Sequence, residues 1–269
     1  MHPLTNRAAS DMSRVAADER GAEVRRDHEQ PPTSLRWPPG TLLACLSPKT
    51  RANLLALGTT VSVKAGDHIL REGTTGNHLV LLREALTKVT VNMADGRQTL
   101  LAIRVSGDLV GEISALNDTP RTATVTTCGA GLVSVIYKRE WYPFLHDQPE
   151  AALALARTIA ARFRWANRRR VDFTAYPAKI RLARVLAELS TAHGEAISDG
   201  RTVGVALTQP ELASLCGAAE PTVEKALREL RRAGVIRTGY RQIVVHDLAQ
   251  LQRVGHLGDI GPHWSAGAN

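Results

Sequence analysis

The stretch Gly111-Glu-Ile-Ser-Ala-Leu-Asn-Asp-Thr-Pro-Arg-Thr-Ala-Thr-Val125 carries the most specific pattern in the chain. It places a glycine and a carboxylate side by side at Gly111 and Glu112, and a guanidinium at Arg121. Arginine offers a forked, permanently charged donor to phosphate oxygens. A carboxylate accepts a hydrogen bond from a ribose 2′-hydroxyl, and glycine lets a ligand approach the backbone closely. The pattern predicts a pocket for a phosphorylated ligand with a vicinal hydroxyl; the alternative is a buried Arg–Glu pair that holds no ligand.

Length and composition limit the possible classes of protein. The chain has 269 residues and is 43% hydrophobic, which suits two modest domains with packed cores. No run of eighteen apolar residues exists, and the N-terminus lacks a secretion-signal pattern, so we expect a cytoplasmic protein with no membrane partner. The cysteines, Cys45, Cys128 and Cys216, lie too far apart to indicate a disulfide framework or a metal site.

Positive charge is concentrated in two stretches of a chain whose formal net charge is +8. The first stretch holds Arg162, Arg164, Arg168, Arg169 and Arg170. The second lies between positions 225 and 241 and holds six basic residues against one glutamate, namely Lys225, Arg228, Arg231, Arg232, Arg237 and Arg241 against Glu229. Such a cluster is typical of a protein that binds a phosphate backbone, although a solvated helix face has the same pattern.

Residues 61–137 show short β-type runs separated by turns. The runs are Val61–Val63, His68–Leu70, Leu79–Leu82, Lys88–Val91, Thr99–Ile103 and Leu132–Val135. Asp95-Gly96 lies between two of these runs, and this dipeptide predicts a hairpin with a type I′ turn. The segment is therefore predicted to be a small closed antiparallel barrel.

A long helix is predicted after Pro149, because proline is favoured in the first turn of a helix. Five apolar or small residues and a final arginine recur at steps of four and three along it, at Ala152, Ala156, Ile159, Phe163, Ala166 and Arg170. This heptad-like seam indicates either a core helix of one subunit or a helix that pairs with a second copy. Pro177 interrupts the pattern and is predicted to mark a hinge.

Residues 208–245 have the layout of a winged helix-turn-helix. Thr208 and Glu211 form a capping box, Gly217 makes the turn, Pro221 begins the second helix, and 234–245 reads as a two-stranded wing. The second helix of such a motif enters the major groove by its N-terminal half. Predicted contacts to base edges or phosphates are Glu220, Glu224, Lys225 and Arg228, and predicted phosphate contacts are Thr208 and Thr222. The alternative is a three-helix scaffold used for protein contacts.

Gly111–Val125 resembles the phosphate-binding cassette of cyclic-nucleotide-binding domains, and residues 36–250 together resemble the Crp/Fnr family of bacterial transcription regulators. The resemblance implies an α+β fold with an N-terminal antiparallel β-roll, a long dimerisation helix and a C-terminal winged helix-turn-helix domain. It also implies a cyclic nucleotide effector, with cyclic AMP considered before cyclic GMP. The implied partners are double-stranded DNA, a second copy through helix 149–171, and RNA polymerase. The nucleotide contacts that it adds are Ile113, Ser114, Thr122 and, for the base, Asn167.

The predicted division of the chain follows these motifs. It comprises a disordered arm at 1–35, a β-roll at 36–147, a dimerisation helix and hinge at 148–176, a DNA-binding domain at 177–255 and a tail at 256–269. Two alternatives stay open: a regulator with an empty pocket or another effector, and a nucleotide-binding adaptor without DNA binding. No nucleophile–base arrangement or metal-ligand spacing stands out, so we expect neither an enzyme nor a metalloprotein.

Overall fold

The computed structural model describes residues 37–257. The arm predicted at residues 1–35, and residues 258–269 of the predicted tail, lie outside the described residues. In the range 37–257 no helix is both long and apolar enough to cross a membrane.

Short strands build the N-terminal part of the described chain. They are β1 (Thr59–Val63), β2 (His68–Leu70), β3 (His78–Glu84), β4 (Thr87–Asn92), β5 (Gln98–Arg104), β6 (Leu109–Val110), β7 (Thr124–Thr127) and β8 (Gly131–Tyr137). All of them pair antiparallel, in two four-stranded sheets with the orders β1-β8-β3-β6 and β2-β7-β4-β5. The predicted antiparallel β-roll is therefore confirmed, with its strands in two sheets and not in one closed barrel.

Strand β3 lies between two apolar cores. Leu79 and Leu81 belong to a cluster that contains Trp141 from a neighbouring helix, whereas Val80 and Leu82 belong to a second cluster. Successive side chains of a strand point to opposite faces, so a strand covered on both sides needs an uninterrupted apolar run. The sequence Leu79–Leu82 meets that requirement.

Helices lie before, between and after the strands of the β-roll and make up most of the C-terminal domain. They are α1 (Pro48–Leu55), α2 (Glu112–Asn117), α3 (Lys138–Asp147), α4 (Pro149–Ala175), α5 (Ala178–His193), α6 (Gln209–Cys216), α7 (Glu220–Arg232) and α8 (Leu248–Val254). Helix α4 has 27 residues and begins at the predicted proline. It ends where Tyr176 adopts an extended backbone with ψ of 144° before Pro177. A residue that precedes proline avoids the helical region, which accounts for the break between α4 and α5. The predicted interruption at Pro177 is therefore present, and its role as a hinge stays a prediction.

The predicted helix-turn-helix forms as its local signals indicate. Thr208 accepts a hydrogen bond from the backbone of Glu211, whose carboxylate accepts one from the Thr208 N–H at 2.7 Å. Gly217 ends α6 with φ of +57°, and a Cβ there would lie 2.7 Å from the ring of Phe173. Glycine is therefore required at this turn both by backbone conformation and by space. The buried face of α7 consists of Val223, Ala226, Leu227 and Leu230.

A small sheet completes the C-terminal domain. Its strands are β9 (Ala196–Ile197), β10 (Gly200–Thr202), β11 (Ile236–Gly239) and β12 (Gln242–Val245), in the order β11-β12-β10-β9. The wing hairpin turns at Tyr240 and Arg241, where Arg241 has φ of +54°, one residue beyond the turn predicted at Gly239.

The hairpin between β4 and β5 forms at Asp95-Gly96, but its turn type differs from the prediction. Gly96 has φ of +83°, whereas Asp95 is not among the described residues with positive φ. A type I′ turn needs positive φ at both central residues, so the turn is not of that type. The Gly96 N–H donates to Met93 O at 2.9 Å, and the Met93 N–H donates to Arg97 O. A three-residue loop with glycine at its left-handed position accounts for this pattern.

Strand β5 also contacts the C-terminal domain. Its Leu100 and Ile103 belong to the same buried cluster as Leu212 and Leu215 of α6. Beside this cluster, the Lys88 ammonium on β4 lies 2.7 Å from the carboxylate of Glu211 and donates to the carbonyl of Ala206 at 2.7 Å. The β4–β5 hairpin is thus part of the contact between the two domains.

A buried ion pair fixes the α4–α5 junction. Arg184 and Asp172 lie 2.8 Å apart with side chains that are each 4% exposed. Arg184 also donates to the Gly255 carbonyl at 2.7 Å, and its guanidinium lies 4.2 Å from the centre of the Tyr176 ring.

We predict that Asp172→Ala lowers the free energy of unfolding by about 3–5 kcal/mol, because it leaves the Arg184 charge buried without its carboxylate. Denaturant unfolding followed by circular dichroism measures the loss. Lys179→Ala is the matched control, since Lys179 and Glu229 form a pair whose side chains are 45% and 37% exposed, and such pairs contribute about 0–1 kcal/mol. Equal losses in the two variants would contradict the structural role of the buried pair.

Candidate functional site

A small cavity of about 90 Å³ lies beside the Gly111 turn, against the second sheet. Its lining contains the residues predicted to form the pocket, apart from Asn167. Two further arginines and several apolar side chains also line the cavity. The complete lining is Leu70, Val89, Arg104, Val110, Gly111, Glu112, Ile113, Ser114, Arg121, Thr122, Ala123, Val125 and Arg162.

Arg121 is held inside the protein by backbone carbonyls. Its side chain is 3% exposed, and it donates to Gly111 O at 3.1 Å and to His78 O at 2.5 Å. Burial lowers the pKa of Arg121, while the charge of Glu112 opposes the shift. Among the described residues no carboxylate lies within ion-pair distance of Arg121. The site therefore keeps a buried cation that backbone carbonyls hold and that forms no ion pair within residues 37–257.

Gly111 is required by the position of Arg121. Its φ is +85°, and a Cβ at this position would lie 2.7 Å from Nη1 of Arg121 and 3.0 Å from Leu70. Any other residue would strain the backbone and displace the guanidinium. The spacing between the glycine and the arginine in the sequence is thus a packing constraint as well as a ligand-binding pattern.

Glu112 pairs with Arg162 of α4 and not with Arg121. Its Oε1 atom accepts from Nη1 of Arg162 at 2.6 Å, and Nη2 of Arg162 donates to Asp108 Oδ1 and to Leu109 O, each at 3.0 Å. Burial acts to lower the pKa of Arg162, but Glu112 and Asp108 together raise it. The buried Arg–Glu pair of the structure therefore joins Glu112 to Arg162 of the long helix and not to Arg121, and the alternative that the cavity holds no ligand stays open.

The remaining predicted pocket residues differ in exposure. Ser114 is buried and donates to the carbonyl of Pro120 at 3.2 Å, which closes the loop between α2 and Arg121. Ile113 is 46% exposed, and Thr122 is exposed at the cavity edge. Both residues line the cavity. Their roles as ligand contacts stay predictions.

Asn167 lies on the exposed face of α4, outside the lining of this cavity. Its predicted contact with a base stays a prediction. The structure instead brings Arg162, five residues earlier on the helix, to the cavity.

Two cavity arginines were not predicted as site residues, Arg104 and Arg162. Arg104 is the last residue of β5 and follows the apolar run Leu-Leu-Ala-Ile. A charged residue directly after an apolar strand was the sequence feature that could have marked it as a site residue. Arg162 had no distinguishing signal, because it belongs to a cluster of arginines that all suited a solvated face. The contacts with Glu112 and Asp108 are tertiary and separate it from its neighbours.

The predicted DNA-contacting residues lie mostly on one exposed part of the C-terminal domain. Thr208, Glu220, Thr222, Lys225 and Arg228 are exposed. The structure thus presents the start of α6 and the N-terminal half of α7 to solvent, as the motif requires.

Two details qualify that surface. Glu224 is half-buried, and its carboxylate accepts from Arg228 at 2.7 Å along the helix, so the two predicted contacts engage one another. Tyr240, at the turn of the wing, is 93% exposed and extends the surface beyond the residues predicted from the sequence. The individual DNA contacts stay predictions.

In the range 37–257 no group of three or more His, Cys, Asp or Glu side chains is placed to hold a metal ion. His78 lies beside Arg121, and burial together with that charge lowers the pKa of His78 to about 4. Its imidazole is therefore neutral at physiological pH.

Comparison with known proteins assigns both domains. Residues 60–148 match the cyclic nucleotide-binding domain, and residues 180–254 match the Crp-like helix-turn-helix domain. A CRP-like cAMP-activated global transcriptional regulator of Mycobacterium tuberculosis is 30% identical over 195 residues, which cover 72% of this chain and 86% of that protein. An anaerobic regulatory protein of Bacillus subtilis is 27% identical over 184 residues, covering 68% of this chain and 77% of that protein.

Solved structures agree with this assignment. A CRP-family transcriptional regulator from Thermus thermophilus superposes with a TM-score of 0.63 at 26% identity, covering 73% of this chain and 96% of that chain. A CRP/FNR-family regulator from the same organism has a TM-score of 0.63 at 27% identity, with coverage of 74% and 98%. The β-roll, the long helix, the winged helix-turn-helix and these relatives together show that the chain belongs to the Crp/Fnr family of transcription regulators.

Proposed function

We propose that this chain is a homodimeric, sequence-specific DNA-binding regulator controlled by a cyclic nucleotide in the β-roll. Cyclic AMP is the first ligand to test, since a relative is named as cAMP-activated, and cyclic GMP is the second. The observation that carries the proposal is the buried guanidinium of Arg121 in the cavity wall. A buried charge without a partner is costly, and an anionic ligand in the cavity would neutralise it.

The cavity chemistry suits a cyclic phosphate linked to a ribose. Arg121 would donate to the phosphate, and Glu112 would accept from the 2′-hydroxyl. Glu112 is engaged by Arg162 in this structure, and the cavity of about 90 Å³ is smaller than the roughly 300–1,000 Å³ of ordinary ligand sites. Ligand entry would therefore require Arg162, and with it part of α4, to move away from Glu112.

Two connections would carry this movement to the DNA-binding domain. One is covalent, because α4 continues through Pro177 into α5. The other is the contact of β4 and β5 with α6, which includes Lys88 and Glu211. Glu211 belongs to the capping box of Thr208, so the ion pair reaches the start of the helix-turn-helix. A ligand would bias the domain arrangement by its differential affinity for two states.

A face of α4 supports the proposed homodimer. In the single chain Leu153 is 52% exposed and Phe163 is 66% exposed. Of the predicted seam, Ala156, Ala166 and Arg170 are exposed as well, whereas the remaining two members are partly buried. A long helix with large apolar side chains in solvent buries them most directly against a second copy of the same helix. We include RNA polymerase as a further partner, on the resemblance to the family.

A second candidate keeps DNA binding and gives the cavity no nucleotide. The observation that favours it is the Arg162–Glu112 pair, which satisfies the carboxylate from within the chain. Calorimetric titration with cyclic AMP and cyclic GMP separates the candidates, and an absence of heat at millimolar nucleotide would reject the nucleotide.

We expect Arg121→Ala to weaken cyclic nucleotide binding at least about tenfold, because a hydrogen bond to a charged group contributes about 1.5–3 kcal/mol. Isothermal titration calorimetry measures the change, and thermal unfolding checks that the variant folds. Arg71→Ala, which removes an exposed arginine of the same β-roll, should leave the affinity unchanged. An unaltered dissociation constant in folded Arg121→Ala would reject the phosphate-binding role.

Phe163→Asp should convert a dimer into a monomer, because it places a charge in the apolar seam of α4. Sedimentation velocity measures the mass, with the unmodified chain expected at twice the mass of one chain. Met93→Asp is the matched control, since Met93 is 47% exposed on the β4–β5 hairpin, away from α4. A monomeric unmodified chain, or a dimeric Phe163→Asp variant, would contradict dimerisation through this face.

Replacing Lys225 with alanine should lower affinity for the DNA upstream of the protein's own coding region by about tenfold, within the 1–3 kcal/mol typical of a base contact. If Lys225 contacts a phosphate instead, the slope of log affinity against log salt should fall by about one. Fluorescence anisotropy over a salt series distinguishes these results. Lys49→Ala, on exposed α1, is the control, and identical binding curves for both variants would contradict the assigned surface.

A further inference from the structure

Arg104 is a cavity residue that forms no ion pair within residues 37–257. Within the described residues, Nη1 of the Arg104 guanidinium donates a hydrogen bond to the carbonyl of the adjacent Ile103 at 3.0 Å. Burial, reinforced by the charge of Arg162, lowers the pKa of Arg104 to about 10, while Asp108 and Glu112 oppose the shift. The group is therefore a cation at neutral pH, and most of its donor capacity is available to a ligand.

The two ends of the cavity are chemically different. A second cavity of about 580 Å³ lies between the β-roll, α4 and α5. Arg104 and Arg162 border both cavities, whereas Arg121 borders the first and not the second. Glu112 lines the first cavity and pairs with Arg162, which borders both cavities. The charged groups therefore follow the order Arg121, Glu112, Arg104 towards the larger cavity.

A cyclic nucleotide has its parts in a matching order of phosphate, ribose and base. With the phosphate at Arg121 and the 2′-hydroxyl at Glu112, the base is directed towards Arg104. Space for the base is limited in the first cavity and is available beyond Arg104, in the second. The ligand would therefore extend from one cavity towards the other once Arg162 leaves Glu112.

The chemistry of Arg104 distinguishes between the two purines. A guanidinium has hydrogen-bond donors and no acceptor. Guanine presents two neighbouring acceptors, O6 and N7, which an arginine contacts with two parallel hydrogen bonds. Adenine presents N7 beside the N6 amino group, which is itself a donor and repels a second N–H.

We propose that Arg104 reads the edge of the base and makes the site prefer cyclic GMP to cyclic AMP. This inference rests on the proposed function, because it assumes that a cyclic nucleotide binds with its phosphate at Arg121. It assigns to Arg104 the choice between the two nucleotides. It also favours cyclic GMP, whereas the similarity to a cAMP-activated relative favours cyclic AMP.

The test is calorimetric titration of the full chain with cyclic GMP, cyclic AMP and cyclic inosine monophosphate. Cyclic inosine monophosphate carries O6 and N7 but lacks the 2-amino group of guanine. We expect cyclic GMP and cyclic inosine monophosphate to bind with similar affinity, about tenfold or more tightly than cyclic AMP, as for a bidentate arginine contact. Tighter binding of cyclic AMP than of cyclic GMP would overturn the inference.

Variants locate the preference at Arg104. Arg104→Leu removes the donors and should abolish the preference by weakening cyclic GMP about tenfold while leaving cyclic AMP nearly unchanged. Arg104→Lys keeps the charge without the forked donor and should reduce the preference without abolishing it, which retains a test if the leucine variant fails to fold. Arg97→Leu, on the exposed tip of the same hairpin, should retain the full preference.

The outcomes separate this inference from the proposal on which it rests. If both nucleotides bind and Arg121→Ala weakens both, the proposed function stands. A preference that survives in Arg104→Leu and Arg104→Lys then overturns the base-reading role alone. If no nucleotide binds the unmodified chain, the nucleotide half of the proposed function and this inference both fail.

Discussion

Three charges meet where helix α4 crosses the β-roll. The guanidinium of Arg162 lies between the carboxylates of Glu112 and Asp108, at 2.6 and 3.0 Å. The Glu112 side chain is 6% exposed and that of Arg162 is 18% exposed, so the pair is largely removed from water. Buried pairs are costly to break one partner at a time, because the remaining charge stays desolvated. The position of α4 is therefore tied to whatever occupies Glu112.

The β4–β5 hairpin extends this dependence to the second domain. Arg104, at the end of β5, borders the cavity, and Leu100 and Ile103 of the same strand pack with the core of the C-terminal domain. Lys88, on the paired strand, holds Glu211 at the start of α6. Strand β5 thus carries both a residue of the cavity wall and residues that contact the helix-turn-helix. Interior packing is dense, so side chains on one strand cannot move independently of their neighbours.

Local signals predicted the parts of this structure that depend on local sequence. The capping box of Thr208, the turn at Gly217 and the helix break at Pro177 each depend on a few adjacent residues, and all three formed as predicted. The hairpin at Asp95-Gly96 also formed, but its turn type depends on how the two strands twist and pair. Glycine at the left-handed position suits more than one kind of hairpin turn, so the dipeptide alone does not select among them.

The candidate site was predictable on one side only. Gly111, Glu112 and Arg121 are close in sequence and converge through a short loop, so their spacing was informative. Arg162 reaches the same cavity from a different element, and its selection from a row of arginines depends on the phase of α4 against the β-roll. The count of charges along α4 does not show which arginines are engaged, whereas the structure pairs Arg162 with carboxylates and Arg169 with Glu188 at 2.7 Å.

A ligand that takes Glu112 from Arg162 must return more free energy than the ion pair loses. Removing one partner of a buried pair costs on the order of 3–5 kcal/mol, and reversing a two-state population from 1:99 to 99:1 needs about 5.5 kcal/mol of differential binding. A ribose hydroxyl is a neutral donor, so its hydrogen bond to Glu112 contributes less free energy than the charged hydrogen bond from Arg162 that it replaces. The difference must come from groups unsatisfied before binding, and Arg121 is buried against carbonyls with no carboxylate in ion-pair distance among residues 37–257. On the proposed function, an anionic nucleotide can therefore move α4, whereas a neutral nucleoside in the same cavity cannot.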